Sequence, residues 1–323
     1  MRAYTATVGS CVARACPSLD AVDEPLALIS SLDPFDSARR GGSSGLRRYL
    51  VLDVFTGEPL QGNQLAVFTD GSGLSGAEMQ RVARELNLSE TVFFLAPTEG
   101  GSVRIRIFTP GDELPFAGHP VLGSAVVAGA GLGLTAVVLE TAAGRVPVTL
   151  QEMDGRAVFG RMEQPIPSWH EYEHASELLA ALGVERSLLP VEVYVNGPHH
   201  VYVMLEDERS VARLEPDLRA LVRLGAVEAN CFAGSGSRWK TRMFAPALGV
   251  AEDPATGSAA GPLAVHLARH GRIAFGEEIE IRQGEEIGRA SLLYAQADGS
   301  AESVERVLVG GSALVVAAGE FCL

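Results

Sequence analysis

A seven-residue phrase occurs twice in the chain, each time with a different titratable residue at its head. The first copy is His119-Pro-Val-Leu-Gly-Ser-Ala125, and the second is Asp253-Pro-Ala-Thr-Gly-Ser-Ala259. Histidine and aspartate can both accept and donate a proton. The small residues that follow let another group approach the backbone closely. The phrase therefore predicts two proton-transferring groups in equivalent positions of a duplicated chain.

The residues after each head predict a buried helix. The stretches "PVLGSAVVAGA" and "GSAAGPLAVHLA" are apolar or small on every side, which is typical of a helix that is buried all round. We expect Pro120 and Pro254 at the first helical position, where the fixed φ of proline fits and no N–H is lost. Pro262 would then lie inside the second helix, so a later start near Gly257 stays open.

Two such helix starts would make an anion site if they met at a cleft. The first turn of a helix offers unpaired N–H groups and the positive end of the helix dipole. A carboxylate or an enolate would be held there, with His119 and Asp253 on either side of it. The alternative is that Asp253 is a plain N-cap and that the Gly-His-Pro stretch is a plain turn. We favour the functional interpretation because His119 and Asp253, the first residues of the two copies, form a symmetric pair.

The repeat extends upstream and predicts the architecture. Arg106-Ile-Phe-Thr-Pro110 matches Arg242-Met-Phe-Ala-Pro246, and both stretches are typical of a strand that leaves into a loop. Strands follow one another without alternating helices, which argues against a Rossmann-type fold. We predict an α+β fold of two pseudo-symmetric half-domains, each a rolled β-sheet around a central helix. The expected divisions are an extension over 1–46, for which disorder is one alternative, and half-domains over 47–163 and 164–323, with the last strand free to return to the first half.

Three local signals support this division into elements. Ser75 and Glu78 form a capping box, which predicts a helix that begins between them. Gly183 closes a helix over "ASELLAALG", and Asn196-Gly197 predicts a hairpin turn. A short helix is also expected near "EPLALISSL".

The composition excludes several classes of protein. The chain has 323 residues, of which 47% are hydrophobic, and its net charge of −14 argues against nucleic acid or an anionic membrane as partner. The four cysteines (Cys11, Cys16, Cys231 and Cys322) form no CxxC pair. No apolar run reaches the roughly 18 residues of a membrane span. We therefore expect a cytoplasmic protein with reduced thiols.

Other histidines and glycines are weaker candidates for a site. His266 and His270 have the i, i+4 spacing of metal ligands, but the glutamate of an HExxH motif is absent. His199 and His200 lie beside the hairpin turn, and facing the cleft is one alternative for them. The "GAGLG" stretch follows a helix, so it is no dinucleotide fingerprint. We predict neither a metal nor a cofactor.

Several longer stretches resemble the PhzF-like family of phenazine biosynthesis isomerases. They are "NLSETVFFLAP", "RIRIFTPGDELPFAGHPVLGSA", "MEQPIPSW", "NGPHHVYV", "ANCFAGSGSRWKTRMFAPALGV" and "EDPATGSAAGPLAVHLARHG". The resemblance runs from about Tyr49 to the C-terminus. It implies a diaminopimelate-epimerase-like fold with the active site between the halves, a homodimer, and no cofactor or metal.

The resemblance also implies a reaction and its residues. Family members convert trans-2,3-dihydro-3-hydroxyanthranilate to its keto isomer, 6-amino-5-oxocyclohex-2-ene-1-carboxylate, by moving a proton from C3 to C1. Glu90 of the "NLSE" motif matches the proton carrier, and His119 and Asp253 match residues that bond the substrate and assist its protonation. The expected substrate-binding residues are Ser89, Gly118, Gly257 and Ser258. Transient contact with downstream enzymes of the pathway is a further expectation.

Two other functions stay open on the same fold. One is a cofactor-independent amino-acid epimerase or racemase, which would place a thiol at each helix tip. The other is a protein that binds a small ligand without turning it over. The heads of the repeated phrase are His119 and Asp253 instead of cysteines, which favours the isomerase over the epimerase.

Overall fold

The protein is described here by a computed structural model that covers residues 45–153 and 157–323. The stretch "EPLALISSL", for which a helix is predicted, lies outside the described residues, as do Cys11 and Cys16. The strands are β1 (Leu46–Val54), β2 (Asn63–Phe68), β3 (Glu90–Leu95), β4 (Val103–Phe108), β5 (Glu113–Leu114), β6 (Ala136–Thr141), β7 (Gly144–Met153), β8 (Ala157–Gln164), β9 (Ser168–Glu171), β10 (Glu192–Val195), β11 (His199–Met204), β12 (Glu228–Ser235), β13 (Arg238–Ala245), β14 (Val250–Asp253), β15 (Glu278–Gln283), β16 (Ser291–Gly299) and β17 (Val304–Cys322).

Six α-helices accompany these strands in the described ranges. They are α1 (Gly76–Leu86), α2 (Gly118–Leu132), α3 (Ala175–Leu182), α4 (Glu208–Ala212), α5 (Leu218–Arg223) and α6 (Gly257–Arg269), with short 3₁₀ turns at Pro246–Leu248 and Glu285–Ile287. The predicted capping box is present, since Ser75 and Glu78 bond each other's backbone at the start of α1. Gly183 ends α3 in the left-handed conformation, which confirms the predicted stop. The two short helices α4 and α5 were not predicted.

The first half of the chain closes into a rolled sheet around α2. Neighbouring strands pair in the order β1, β2, β3, β4, β6, β7 and β8. The long strand β17 links the two ends of this order, because its residues 307–313 pair with β8 and its residues 313–322 pair with β1. The helix is buried over its first twelve residues, Gly118 to Gly129, because it carries no polar face. On the outside of the sheet, α1 packs Met79 and Val82 onto a cluster of phenylalanines.

The second half repeats this arrangement around α6. Its strands pair in the order β9, β10, β11, β12, β13, β15, β16 and the first part of β17. The helices α3, α4 and α5 pack outside this sheet. Two strand pairs in the same register relate the halves, since Thr91 faces Phe108 on β3–β4 and Ala229 faces Phe244 on β12–β13. The predicted fold class is confirmed, whereas the division at residues 163 and 164 stays a prediction.

The two halves exchange strands instead of lying side by side. The first part of β17 pairs with β16, and the second part pairs with β1. Earlier in the sequence the chain crosses from the first half to the second. It leaves β8, which pairs with β7 of the first half, and enters β9, which pairs with β10 of the second half. The proline-marked "QPIPSW" stretch makes this crossover.

The starts of the two central helices differ from the prediction. The first helix begins at Gly118, so Pro120 is its third residue, and the second begins at Gly257, so Pro254 lies outside it. The expectation that both prolines occupy the first helical position is wrong. The second start is delayed because Asp253 still belongs to β14 and accepts a hydrogen bond from the Thr256 hydroxyl at 2.6 Å, which holds a turn before the helix. The later start near Gly257 is confirmed.

Among the helices of the described ranges, the search for a span long and apolar enough to cross a membrane finds no candidate.

Candidate active site

The starts of α2 and α6 meet at the junction of the two halves. A Cβ atom on Gly118 would lie 2.4 Å from the backbone nitrogen of Ser258, and one on Gly257 would lie 3.1 Å from the backbone nitrogen of His119. Only glycine allows so close an approach. Within the described residues, neither Ala117 nor Thr256, the N-cap residues, bonds the first turn through a side chain. The junction therefore collects uncapped backbone N–H groups and two positive dipole ends.

A glutamate and a histidine lie in contact at this junction. Glu90 is the first residue of β3, and His119 is the second residue of α2. Their Oε2 and Nε2 atoms are 3.0 Å apart, with side chains 14% and 6% exposed. Neither atom makes a well-directed hydrogen bond to another described group. The pair is thus close enough to share a proton.

A buried asparagine links this pair to the second half of the chain. The Nδ2 atom of Asn63 donates hydrogen bonds of 2.9 Å to Asp253 Oδ1 and 2.9 Å to the carbonyl of Ala255. The same atom lies 3.3 Å from His119 Nδ1. Of the two ring nitrogens of His119, Nδ1 faces this amide and Nε2 faces Glu90.

Burial and neighbouring charges together raise the pKa values of two members of the cluster. Burial is the main cause that raises the pKa of Asp253 to about 7; the nearby charge of Glu90 adds to it and that of His119 opposes it. Burial by itself would lower the pKa of His119, but the charges of Glu90 and Asp253 outweigh it and raise that pKa. With a pKa of about 7, Asp253 is therefore suited to exchange protons near neutral pH.

Side chains from other strands hold the start of α6. Pro262 has no N–H for the carbonyl of Ser258 four residues earlier, and the Nδ2 atom of Asn196 donates to that carbonyl at 2.9 Å instead. Gln164 donates to the carbonyl of Gly257 at 2.9 Å. The start of the helix is thereby tied to β8 and to the turn between β10 and β11.

A glutamine fixes the turn that carries Asp253. The Nε2 atom of Gln283 donates to the Asp253 carbonyl at 2.8 Å and to the Thr256 hydroxyl at 2.9 Å. The Oε1 atom of Gln283 accepts from the Thr256 backbone at 3.2 Å. Since Thr256 in turn donates to the Asp253 carboxylate, the orientation of this carboxylate is set by a closed network.

The structure brings the sequence-predicted residues together. Glu90, His119 and Asp253 form one buried cluster around Asn63. Gly118, Gly257 and Ser258 lie where the helix starts touch, and Ser89 is half-buried directly before Glu90. Their roles toward a substrate stay predictions.

Sequence reasoning missed the four amides that organise this cluster: Asn63, Gln164, Asn196 and Gln283. Asn63 and Asn196 lie in stretches that were interpreted as turns, where asparagine is common for reasons of backbone geometry. The position of Asn63 could have indicated its role. It is the first residue of a buried strand, where a side-chain amide needs a hydrogen-bond partner.

A second polar cluster lies at the far end of α6. Ligand-type atoms of Glu192, His266 and His270 lie within 4.8 Å of one another, so the helical histidine pair does meet a carboxylate. The same Glu192 oxygen, however, also accepts from Arg269 and from the Tyr194 hydroxyl, each at 2.9 Å. A cation would have to displace the arginine, and the prediction that the protein uses no metal is retained.

Comparison with known proteins identifies the relatives of the chain. The model of the family described as "Phenazine biosynthesis-like protein" matches residues 52–319. A Pseudomonas aeruginosa protein named trans-2,3-dihydro-3-hydroxyanthranilate isomerase is 54% identical over 274 residues, which cover 85% of this chain and 99% of the relative.

Solved structures extend the comparison to the fold. A PhzF-family protein from Bacillus anthracis superposes with a TM-score of 0.75 at 24% identity, over 86% of this chain and 99% of the other. A hydroxyproline epimerase from Agrobacterium vitis superposes with a TM-score of 0.56 at 15% identity, over 87% and 94%. At these identities the likeness concerns the fold alone, and it confirms the epimerase-like architecture.

Proposed function

The chain belongs to the phenazine biosynthesis-like family, and from this premise we propose that it is an isomerase that converts trans-2,3-dihydro-3-hydroxyanthranilate to its keto isomer. The proposal rests above all on one observation. Glu90 and His119 lie 3.0 Å apart at the junction of two uncapped helix starts. A carboxylate substrate with an acidic ring proton needs this combination, an anion site beside a group that moves protons.

The chemistry assigned to these residues is a proton transfer across the ring. Glu90 takes the proton from C3, the electron pair of that bond moves through the diene, and a proton is delivered to C1. The enol formed in this way becomes a ketone by a second proton shift. His119 and Asp253 hydrogen-bond the substrate and supply or accept the protons of that shift, a task for which the Asp253 pKa of about 7 is suited.

The substrate is held by backbone groups in this proposal. Gly118 lies against the backbone of Gly257 and Ser258 where the helix starts touch, and Ser89 directly precedes Glu90 in the chain. The substrate carboxylate would bind there with help from both helix dipoles. Because Asp253 is 8% exposed and His119 is 5% exposed, the two halves must separate to admit a ring.

The proposal includes the expected setting of the enzyme. It acts without cofactor or metal, as a homodimer in the cytoplasm, with transient contact to the enzymes that consume its product. These points follow from the family resemblance, and the net charge of −14 agrees with a small-molecule enzyme that avoids nucleic acid.

Turnover in deuterated water tests the reaction. The purified chain is incubated with trans-2,3-dihydro-3-hydroxyanthranilate, and consumption is followed by absorbance and NMR. We expect loss of the diene and a new proton or deuteron at C1. Glu90→Gln should lower kcat by about 10³-fold, as for loss of a general acid–base group. The exposed Glu85→Gln on α1 is the matched control. A wild-type protein that leaves the substrate untouched refutes the function, and full activity of Glu90→Gln refutes the assignment of Glu90.

The epimerase alternative meets a structural obstacle. Of the described cysteines, Cys231 is fully buried on β12 and Cys322 ends β17, so neither lies at a helix start. Burial raises the pKa of the Cys231 thiol to about 12, so the thiolate that would act as the base is hardly populated near neutral pH. Exchange of the α-hydrogen of an amino acid with deuterated water would revive that alternative. Tight binding of the dihydroanthranilate without turnover would favour the binding protein.

A further inference from the structure

The second half of the chain has its own counterpart of Glu90. On β3–β4, Thr91 faces Phe108, and on β12–β13, Ala229 faces Phe244. The two phenylalanines occupy the same place in the repeated R-x-F-x-P phrase. Glu90 directly precedes Thr91 as the first residue of β3, and a glutamate, Glu228, directly precedes Ala229 as the first residue of β12. The strand register therefore makes Glu90 and Glu228 equivalent.

An imidazole accompanies this second glutamate as well. On the parallel pair β11–β12, Glu228 lies beside His200, where the first half has Leu65 beside Glu90. The Nδ1 atom of His200 is 2.9 Å from Glu228 Oε2, and the histidine side chain is fully buried. Neither ring nitrogen of His200 makes a well-directed hydrogen bond to any other described group. A buried imidazole without further hydrogen bonds costs folding free energy, so the His200–Glu228 pair is a candidate for a role beyond packing.

The strand register also places Glu228 on the same side of the sheet as Asp253, two strands away. Asn230 faces Met243 across β12–β13, and Met243 faces Asp253 across β13–β14. Glu228 lies two residues before Asn230, so both point to the same side of the sheet. The charge of Glu228 contributes to the raised pKa of Asp253, as does the charge of Glu90.

The groups that face Asp253 come from four directions. Glu90 and Glu228 are acidic and lie on β3 and β12, His119 is basic and lies on α2, and the Thr256 hydroxyl donates to the carboxylate from the turn before α6. Of the acidic groups, Glu90 is in contact with His119, which itself lies near Asp253. Glu228 is instead in contact with His200, which takes no part in the Glu90–His119 contact.

We propose that Glu228 and His200 are a positioning pair for the isomerisation, which keeps Asp253 in its proton-donating form. The pair is the counterpart of Glu90–His119 in the second half, placed behind Asp253 instead of against the substrate. His200 fixes the orientation of the Glu228 carboxylate, and the carboxylate acts on Asp253 through its charge. The role in catalysis rests on the proposed function, whereas the effect on Asp253 does not.

A titration of Asp253 without substrate tests the effect directly. The chain is labelled with ¹³C-carboxyl aspartate, and the resonance lost in Asp253→Asn is followed against pH. In Glu228→Gln we expect the midpoint of Asp253 to fall by about 1 pH unit, the size typical of a lost neighbouring charge. The exposed Glu185→Gln, in the same half, should leave it unchanged. An unmoved midpoint in folded Glu228→Gln overturns the proposal.

Two further variants keep the test decisive. Glu228→Asp retains the charge, so its midpoint should lie near the wild-type value, and a midpoint equal to that of Glu228→Gln contradicts the proposal. His200→Gln removes the imidazole that orients the carboxylate and should also lower the midpoint of Asp253.

The pH profile of turnover connects the pair to the reaction. If Asp253 donates a proton, the basic limb of kcat should move to lower pH in Glu228→Gln by the same interval as the midpoint, with KM changed less than kcat. A limb that stays in place while the midpoint moves refutes the positioning role. A wild-type protein without turnover refutes the proposed function instead, and the substrate-free midpoint still decides whether Glu228 acts on Asp253.

Discussion

The side-chain amide of Asn63 donates a 2.9 Å hydrogen bond to the carboxylate of Asp253, a residue 190 positions further along the chain. Asn63 opens β2 in the first half, and Asp253 ends β14 in the second half. The bond joins the two halves at the point where their helix starts meet. It also sets the distance between His119 and Asp253, the two heads of the repeated phrase, because both lie against the same nitrogen.

Replacing Asn63 should separate catalysis from folding. In Asn63→Leu, Asp253 Oδ1 and the Ala255 carbonyl lose their donor, and the free energy of unfolding should fall by about 2 kcal/mol. We expect kcat to fall by about 10²-fold, because His119 and Asp253 are no longer held in place. Urea unfolding and steady-state kinetics measure the two effects. The exposed neighbour Gln64→Leu should change neither, and wild-type kcat in Asn63→Leu would contradict the bridging role.

A methyl group on Gly118 should open the junction of the helix starts. The new Cβ would lie 2.4 Å from the Ser258 backbone nitrogen, an overlap that backbone atoms cannot relieve by rotation. We expect Gly118→Ala to stay folded and to lose at least about 10²-fold in kcat/KM, because the N–H groups no longer converge. Gly57→Ala is the matched control, since nothing lies within 4 Å of its Cβ. Equal kinetics for the two variants would show that the contact is unimportant.

The stability of the protein should depend on pH through Asp253. The pKa of this carboxyl is about 7 in the folded chain and near its ordinary 3.8 in the unfolded chain. Between these values the folded state holds a proton that the unfolded state has lost, so this group's contribution to stability is complete below pH 3.8 and is lost as the pH rises toward 7. An asparagine at this position does not titrate, so the Asp253→Asn variant has no such loss of stability. Relative to the wild type, Asp253→Asn should therefore become more stable from pH 4 to pH 7.5, as measured by urea unfolding. A constant difference over this range would contradict the raised pKa.

Glu192 should have the opposite dependence on pH. Burial opposes ionisation, but hydrogen bonds from His266, His270, Tyr194 and Arg269 outweigh it and hold the pKa of Glu192 well below its ordinary value of 4.5. Its contribution to stability is therefore present above pH 4.5 and is lost as the pH falls further.

The free energy of unfolding of Glu192→Gln, measured against pH, tests this dependence. Glu192→Gln should cost about 3 kcal/mol at pH 7, because Arg269 and the histidines keep their place without the carboxylate. The difference from the wild type should shrink below pH 4.5. The exposed Glu173→Gln should show no such cost. A difference that is the same at pH 7 and pH 3.5 would refute the depressed pKa.

The sequence predicted those parts of the site that are written in local patterns. The repeated phrase predicted two buried helices and the meeting of His119 with Asp253, because a duplication and a helix that is apolar on every side are both visible in a single chain. The importance of Glu90 came from the family resemblance, since a glutamate that opens a strand looks like any solvated residue. Asn63 and Glu228 stayed hidden because their roles depend on strand register and burial. The misplaced helix start at Pro254 has a similar cause, since the hydroxyl of Thr256 holds the turn.

The exchange of strands has a consequence for the order in which the molecule can be made. The sheet of the first half is complete only when the end of β17 has paired with β1, more than 250 residues upstream along the chain. During synthesis, α2 therefore remains partly uncovered until nearly the whole described chain has left the ribosome. The two halves cannot mature one after the other, and nascent chains must be protected from aggregation for the entire interval. A stop codon before β17 should leave an insoluble product instead of a smaller working enzyme.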